Sequence, residues 1–243
     1  MNASMTTAAL FGHPVIESCL ANAGPGSNPL DTDAAKSDLQ NGIESRFQHG
    51  LMELFAPGSA PLRCVLDFDR TKKAYGKVDI LVNNAGVYAF APVESVTSDE
   101  FSRTFSTNVL GLLLVTKTAL PLFPETGGSI VNVSSVVSTM APPTTSVCAG
   151  TKGAVDTITK TMAKEFGARK SRVNAVNTGL VITEGLHTAG MADNAFEDQM
   201  VAMAPLGRAG LPDDIALTVV FLASEDASWP TGVTILASGG AGI

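Results

Sequence analysis

Short apolar segments alternate with longer segments of helical periodicity from residue 62 to the end of the chain. Strands that are apolar on both faces and separated by helices are typical of a parallel sheet covered on both sides. The pattern therefore predicts an α/β fold with a parallel sheet in three layers. The predicted strands are residues 62–66, 78–82, 129–133, 172–176 and 233–237.

The predicted helices carry start and stop signals. Residues 97–100 read Thr-Ser-Asp-Glu, a capping box, which opens a helix that continues towards Leu120 and is closed by Pro121. A second helix is predicted over 146–166 with Gly167 as its stop. A third begins at Pro212, because proline suits the first helical turn.

Composition narrows the possible partners. A chain of 243 residues with 45% hydrophobic and 16% charged residues fits one large domain. A net charge of −7 without a Lys/Arg run argues against nucleic acid or an anionic membrane surface. The scattered Cys19, Cys64 and Cys148 predict reduced thiols, no metal site and a cytoplasmic protein. No apolar stretch approaches the roughly 20 residues of a membrane span, and a secretory leader is not expected.

Several ordered motifs resemble those of one family. Residues 83–86 read Asn-Asn-Ala-Gly after a predicted strand, and Asn108 lies inside the long helix. Ser135 stands thirteen residues before Cys148, and Lys152 stands four residues after it. Further matching segments are 177–183, 207–216, 221–224 and 231–232. Over residues 61–243 the chain is therefore similar to the short-chain dehydrogenases/reductases.

The resemblance implies a doubly wound, Rossmann-like single domain over 1–243, in which 1–60 is a degenerate dinucleotide-binding half. It implies an oxidoreductase that acts on a hydroxyl or carbonyl group of a small organic molecule, with specialised metabolism as one setting. The implied cofactor is NADP or NAD, and the implied assembly is a homo-oligomer, a dimer or tetramer. Within the variable substrate loop, an apolar or aromatic ligand is indicated by Leu186, His187, Met191 and Phe196.

Three departures from the family pattern stand out. The glycine-rich turn is absent, because Gly12 is followed by His13 and Pro14, and proline has no N–H for a pyrophosphate. Only a few residues separate Asp67 from the next strand, where the family has a helix. Cys148 replaces the catalytic tyrosine. We therefore expect impaired dinucleotide binding, and we expect residues 6–12 to supply a substitute for the family's first strand.

The resemblance assigns catalytic roles to four residues. Ser135 would hold the substrate oxygen, and Lys152 would bind the nicotinamide ribose. Asn108 either holds a water behind the lysine or bonds to backbone. Lys152, one helical turn away, is expected to lower the pKa of the Cys148 thiol from about 8.5. Cys148 is then a water-bridged acid/base, a nucleophile or a small residue without proton transfer.

The resemblance also assigns cofactor contacts. Asp67 would contact the adenine and Asn83 the adenosine ribose, while Lys117 lies where the family often has a basic residue. Val181 and Thr183 would contact the carboxamide. Asp31 or Asp33 is a weaker match to the acidic ribose ligand of an NAD site.

Three functions remain open from the sequence. The first is an NAD(P)-linked oxidoreductase. The second is a non-redox isomerase, dehydratase or cyclase that uses Lys152, Ser135 and Cys148. The third is a catalytically inactive binding protein, since a fold does not fix a function.

Overall fold

The computed structural model describes residues 73, 76–188, 192 and 194–243. Within them, four parallel strands form one sheet in the order β1-β2-β3-β4. The strands are β1 (Ile80–Asn83), β2 (Ser129–Ser135), β3 (Arg172–Thr178) and β4 (Thr234–Ala237). Four of the five predicted strands are thereby confirmed. The predicted strands at 62–66 and 6–12 lie outside the described residues, and so do Asp31, Asp33 and Asp67.

Seven α-helices connect and cover these strands in the described part of the chain. They are α1 (Ser98–Phe105), α2 (Leu112–Ala119), α3 (Val137–Met140), α4 (Ser146–Phe166), α5 (Glu184–Thr188), α6 (Ala195–Ala202) and α7 (Pro212–Ala223). A π-helical segment, Ser106–Gly111, joins α1 to α2 without a break. Short 3₁₀ turns lie at Val93–Ser95, Leu120–Leu122, Gly167–Arg169 and Glu225–Ala227.

The start signals of the helices act as predicted. The Thr97 hydroxyl accepts a hydrogen bond from the Glu100 N–H (3.2 Å) at the start of α1. At the start of α7, the Asp214 carboxylate accepts from the Leu211 N–H (2.7 Å) and binds Arg208 with both oxygens (2.7 and 2.8 Å). The stop of α4 is confirmed, because the helix ends at Phe166 with Gly167 as its C-cap. Gly167 keeps right-handed geometry (φ −56°) and begins a 3₁₀ turn that ends at the left-handed Lys170 (φ 56°).

Apolar side chains from both faces of the sheet build two cores. On one face, Ile130 and Val173 pack with Leu81, Leu112, Val115, Val155 and Met162, which brings α2 and α4 onto the sheet. On the other face, Val131 and Val176 pack against Leu222 of α7. Each fully buried side chain of this kind stabilises the fold by about 1.5–3 kcal/mol. The predicted three-layer, doubly wound α/β class is confirmed.

The long helix corrects one expectation. Ser98–Leu122 spans 25 residues and is apolar enough, by length and composition, to cross a membrane. Its Leu112, Val115 and Ala119 lie in the core against the sheet. A helix that buries one apolar face in a protein core can be as long and as apolar as a membrane-spanning helix. The helix therefore belongs to the middle of the fold, although the sequence was expected to hold no such stretch.

Candidate active site

The carboxyl ends of three neighbouring strands meet at one edge of the sheet. Asn83 ends β1, Ser135 ends β2 and Thr178 ends β3. In open parallel sheets, ligands bind in the crevice outside this edge. The loops that leave it are tied together, because the Ala91 N–H donates to the Thr144 carbonyl (2.8 Å) just before α4. The candidate site lies between these loops and the first turns of α4.

Asn108 fixes the loop after β1 to the helices below it. Its Oδ1 accepts from the Val87 N–H (2.8 Å), and its Nδ2 donates to the Val87 carbonyl (2.8 Å) and to Thr151 Oγ1 (3.0 Å). Asn108 is buried within the π-helical segment, a geometry often found at functional sites. Both amide donors are thus used by protein partners. The backbone-bonding alternative is confirmed, and a water held on its remaining lone pair stays a prediction.

Lys152 projects from α4 to the same edge. Its Nζ donates to the Val133 carbonyl (3.1 Å) of β2. A Cβ added to Gly86 would lie 3.6 Å from this Nζ and 3.5 Å from Asn108 Oδ1, so the Asn-Asn-Ala-Gly segment passes directly over both side chains. Burial lowers the pKa of the Lys152 ammonium, and the nearby Cys148 and Asp156 oppose that shift. Lys152 therefore lies at the base of the crevice, and its ammonium loses its proton at a lower pH than the ammonium of an exposed lysine does.

Cys148 lies in the first turn of α4 and is buried. Burial raises the pKa of its thiol, and the attraction of Lys152 only reduces that rise. The expectation that Lys152 would set a lowered pKa is therefore wrong, because desolvation outweighs the charge one helical turn away. A thiol with a raised pKa is neutral at neutral pH, which disfavours the nucleophilic thiolate.

Ser135 and Asn83 have protein partners at this edge. The Ser135 hydroxyl donates to the Thr178 carbonyl (3.3 Å) and accepts from the Val137 N–H (3.4 Å), both long bonds. The Asn83 amide is buried and donates to Thr116 Oγ1 (3.1 Å) and Asn132 Oδ1 (2.8 Å). The substrate-oxygen role of Ser135 and the ribose role of Asn83 stay predictions.

The remaining predicted cofactor contacts are spread over two elements. The Thr183 hydroxyl accepts from the Leu186 N–H (3.2 Å) and so caps α5, while Val181 pairs with Gly210 in an isolated parallel bridge. Between β3 and this loop, Gly179 passes so close to β4 that a Cβ would lie 2.8 Å from Ser238 Cα. Lys117 is exposed on α2. The structure therefore brings Asn108, Lys152 and Cys148 together and leaves Lys117 in solvent.

Sequence reasoning did not single out Tyr88, which lies two residues after Gly86. Its ring stacks on Phe90 (centroids 6.1 Å apart), and Phe90 lies 6.1 Å from Phe196 of α6. We call Tyr88, Phe90 and Phe196 the aromatic row. Tyr88 is also close enough to Cys148 for the two groups to interact electrostatically. The sequence did contain a signal for Tyr88. A tyrosine follows the Asn-Asn-Ala-Gly segment closely in a chain that lacks the tyrosine at position 148.

A second polar group missed from the sequence lies beside Lys152. The Asn177 amide donates to Asp156 Oδ2 (3.1 Å) and Ser138 Oγ (3.0 Å). Asp156 stands one helical turn beyond Lys152 and opposes the lowering of the lysine pKa. Asn177, Asp156 and Ser138 therefore form a partly buried polar cluster that links β3, α4 and α3.

The described residues fit the nicotinamide half of a dinucleotide site. Gly86 lies against Lys152, whose ammonium is the type of donor that binds ribose hydroxyls, and the loop of Val181 and Thr183 follows β3 at the same edge. The turn for the pyrophosphate would come from residues before 73, which are not described. Among the described residues, no three His, Cys, Asp or Glu side chains converge on a metal position.

Comparison with known proteins agrees with this arrangement. The family model for enoyl-(acyl carrier protein) reductase matches residues 66–242. An uncharacterized oxidoreductase of Methylorubrum extorquens is 54% identical over 166 residues, covering 68% of this chain and 66% of the relative. A short-chain dehydrogenase/reductase of Pestalotiopsis microspora is 38% identical over 182 residues, covering 71% of this chain and 69% of the relative.

The solved structures give the same result. The structure of an angucycline C-6 ketoreductase with bound NADP matches with a TM-score of 0.71 at 33% identity, covering 76% of this chain and 72% of that chain. These relatives bear out the expected oxidoreductase class and the family's NAD(P) cofactor, and they do not favour the non-redox alternative. The chain belongs to the short-chain dehydrogenase/reductase family.

Proposed function

We propose that the protein catalyses NAD(P)-dependent interconversion of a ketone and an alcohol on an apolar, ring-bearing small molecule. The observation that carries this proposal is the position of the aromatic row. Tyr88 begins the row two residues from Gly86, which passes directly over Lys152. An apolar ring packed on these aromatic faces would have its substituents near the lysine.

The cofactor would be held by residues on both sides of the crevice. Lys152, Val181 and Thr183 are proposed for the nicotinamide end, and Asp67, Asn83 and Lys117 for the adenosine end. When bound, NAD(P)H supplies a hydride. Without the glycine-rich turn, fewer backbone N–H groups reach the pyrophosphate, so we expect weaker binding than a complete turn gives.

The proposed substrate class, a flat ring ketone, rests on the aromatic row and on one structural neighbour. Phe90 and Phe196 add two apolar rings beyond Tyr88, at centroid separations of 6.1 Å along the row. A flat bicyclic or polycyclic ketone presents matching faces, and aromatic contacts of this kind add to simple area burial. The angucycline ketoreductase among the structural neighbours acts on a polycyclic molecule, which supports the same class for this chain.

The proposal is tested by turnover of 2-tetralone, a bicyclic aromatic ketone, with NADPH and with NADH. We expect loss of reduced-nicotinamide absorbance that depends on protein and on 2-tetralone. Lys152→Met should reduce kcat/KM at least about 100-fold. The matched control is Lys160→Met, which changes an exposed lysine on the same helix and should leave turnover unchanged. No turnover of 2-tetralone or other ring ketones with either cofactor would contradict the proposal.

We further propose a cytoplasmic homo-oligomer. Phe101, Leu110 and Leu113 are exposed along the helix Ser98–Leu122, an apolar strip that a second copy of the chain can cover. Light scattering on the eluting protein tests this, with Leu110→Glu as the variant. A change from dimer or tetramer to monomer in L110E would support the strip as an interface, whereas a monomeric parent protein would contradict it.

A further inference from the structure

We propose that the Tyr88 hydroxyl is the proton donor to the substrate oxygen, in place of the phenol that position 148 lacks. This inference rests on the proposed ketone reduction and assigns one residue of its machinery. Among the described residues, Tyr88 is the single tyrosine, and the whole chain contains two. Tyr88 is thus the one phenol among the described residues that can replace the missing tyrosine as proton donor.

The hydroxyl of Tyr88 is in an unusual state. Its oxygen is buried, yet it has no hydrogen-bond partner among the described residues. A buried hydroxyl without a partner destabilises a fold, so such groups are rare and require an explanation. A substrate carbonyl that accepts this hydrogen bond provides one.

The backbone around Tyr88 is fixed on both sides. Asn108 holds the N–H and the carbonyl of Val87, immediately before Tyr88. Three residues after Tyr88, the Ala91 N–H donates a hydrogen bond to the Thr144 carbonyl. Stacking on Phe90 then restricts the motion of the Tyr88 ring. The phenol is therefore held in place before any ligand arrives, as general acid catalysis requires.

Tyr88 also belongs to the same cluster as Lys152. Burial raises the pKa of the Tyr88 phenol, and the nearby Cys148 raises it further, so the hydroxyl carries its proton at neutral pH. Cys148 in turn opposes the lowering of the Lys152 pKa. Lys152 Nζ and Asn108 Oδ1 both lie under Gly86, two residues before Tyr88. The phenol thus reaches the lysine's neighbourhood from the loop after β1 instead of from α4.

Reduction of the ketone would add one hydride and one proton. The carbonyl carbon of the ketone gains a hydride while NAD(P)H is oxidised to NAD(P)+. The carbonyl oxygen gains the proton of Tyr88 Oη, so that the C=O double bond becomes a C–OH single bond. The phenolate that remains takes a proton from solvent.

Tyr88→Phe tests the inference, because it removes one oxygen and keeps the ring. We expect kcat/KM for 2-tetralone to fall at least about 100-fold. Calorimetric affinity for 2-tetralone should fall about 5- to 10-fold, which is the effect of one hydrogen bond, while affinity for the hydrocarbon tetralin stays unchanged. The urea midpoint of Y88F should be no lower than that of the parent protein, since the lost hydroxyl had no partner.

The matched control is Tyr75→Phe, which removes the chain's other phenol and should leave turnover and binding unchanged. Y88F with parental turnover and parental affinity for 2-tetralone would overturn the inference, and so would a parent protein that binds 2-tetralone no better than tetralin. Absence of turnover in the parent protein would instead overturn the proposed function. The two binding measurements would still decide whether Tyr88 Oη contacts a ketone oxygen.

Discussion

Asn108 and Val87 form a closed amide pair: Asn108 Oδ1 accepts from the Val87 N–H, and Asn108 Nδ2 donates to the Val87 carbonyl, both at 2.8 Å. The second donor of Nδ2 bonds Thr151 on α4. One side chain therefore fastens the loop after β1 to two helices, and this loop carries Gly86 and Tyr88 into the site. Asn108 is a positioning residue whose effect on chemistry passes through its neighbours.

Replacing Asn108 should lower stability more than an ordinary surface change. Asn108→Leu keeps a similarly branched side chain but leaves the Val87 N–H and the Val87 carbonyl without their partner, and it removes the hydrogen bond that the Thr151 hydroxyl accepts. We expect a loss of about 2–4 kcal/mol in the free energy of unfolding, measured with urea. Thr161→Ala, which removes an exposed hydroxyl bonded within α4, should change it by less than about 0.5 kcal/mol. Equal stabilities of N108L and T161A would contradict the positioning role.

Lys152 should make stability rise with pH. Its pKa is lower in the folded protein than the ordinary value of 10.5, so the folded state releases this proton first. Below the folded pKa the buried ammonium lowers stability, and the penalty disappears as pH rises towards 10.5. We expect Lys152→Met to stabilise the protein near neutral pH, with the gain shrinking at alkaline pH.

The comparison is made in a Cys148→Ala background. The raised pKa of Cys148 makes the folded state retain its proton longer than the unfolded state, which lowers stability as pH rises through 9.0 and opposes the lysine effect. Urea unfolding of Cys148→Ala and of Cys148→Ala with Lys152→Met, at several pH values, isolates the lysine. A gain independent of pH would show that the Lys152 pKa is not lowered.

Cys148 should react slowly with iodoacetamide in the folded protein. The thiolate is the reactive form, and burial both raises the thiol pKa and limits access. We expect its alkylation at neutral pH to be at least about tenfold slower than in the urea-unfolded chain. Peptide mass spectrometry separates Cys148 from Cys19 and Cys64. Equal rates in the two states would restore the nucleophilic thiolate as a hypothesis.

Phe196 should determine affinity for ring substrates without affecting small ones. Phe196→Ala removes the far end of the aromatic row, so we expect KM for 2-tetralone to rise about tenfold or more. The kcat/KM for 2-butanone, which is too short to reach that ring, should stay within about twofold. Phe221→Ala removes an exposed ring of α7, outside both the aromatic row and the proposed oligomer strip, and serves as the control. Similar losses for both ketones in F196A would contradict the substrate assignment.

The strands and helix starts could be predicted because their signals are local. Runs such as 129–133 are apolar on both faces, and Thr97 and Pro212 mark helix starts through short-range geometry. The π-helical segment around Asn108 could not be predicted, because its sequence has the same apolar spacing as an ordinary helix. That segment forms where the side chain of Asn108 meets Val87, which is a contact between residues distant in sequence.

The candidate site was predicted in part for the same reason. Motif spacing identified Asn108, Cys148 and Lys152, which the fold brings together. The sign of the Cys148 pKa shift was wrong because spacing along a helix reports a charge neighbour but not desolvation. Tyr88 was missed because its unpartnered hydroxyl and its approach to Cys148 follow only from how the loop after β1 is held.

The central claim is that this chain uses a nicotinamide cofactor at the carboxyl edge of the sheet. Calorimetric titration of the full chain with NADPH and with NADH tests it directly, with Lys152→Met as the comparison. We predict saturable binding of at least one cofactor at micromolar concentrations, weakened in K152M. No binding of either cofactor at millimolar concentration would contradict hydride transfer by this protein.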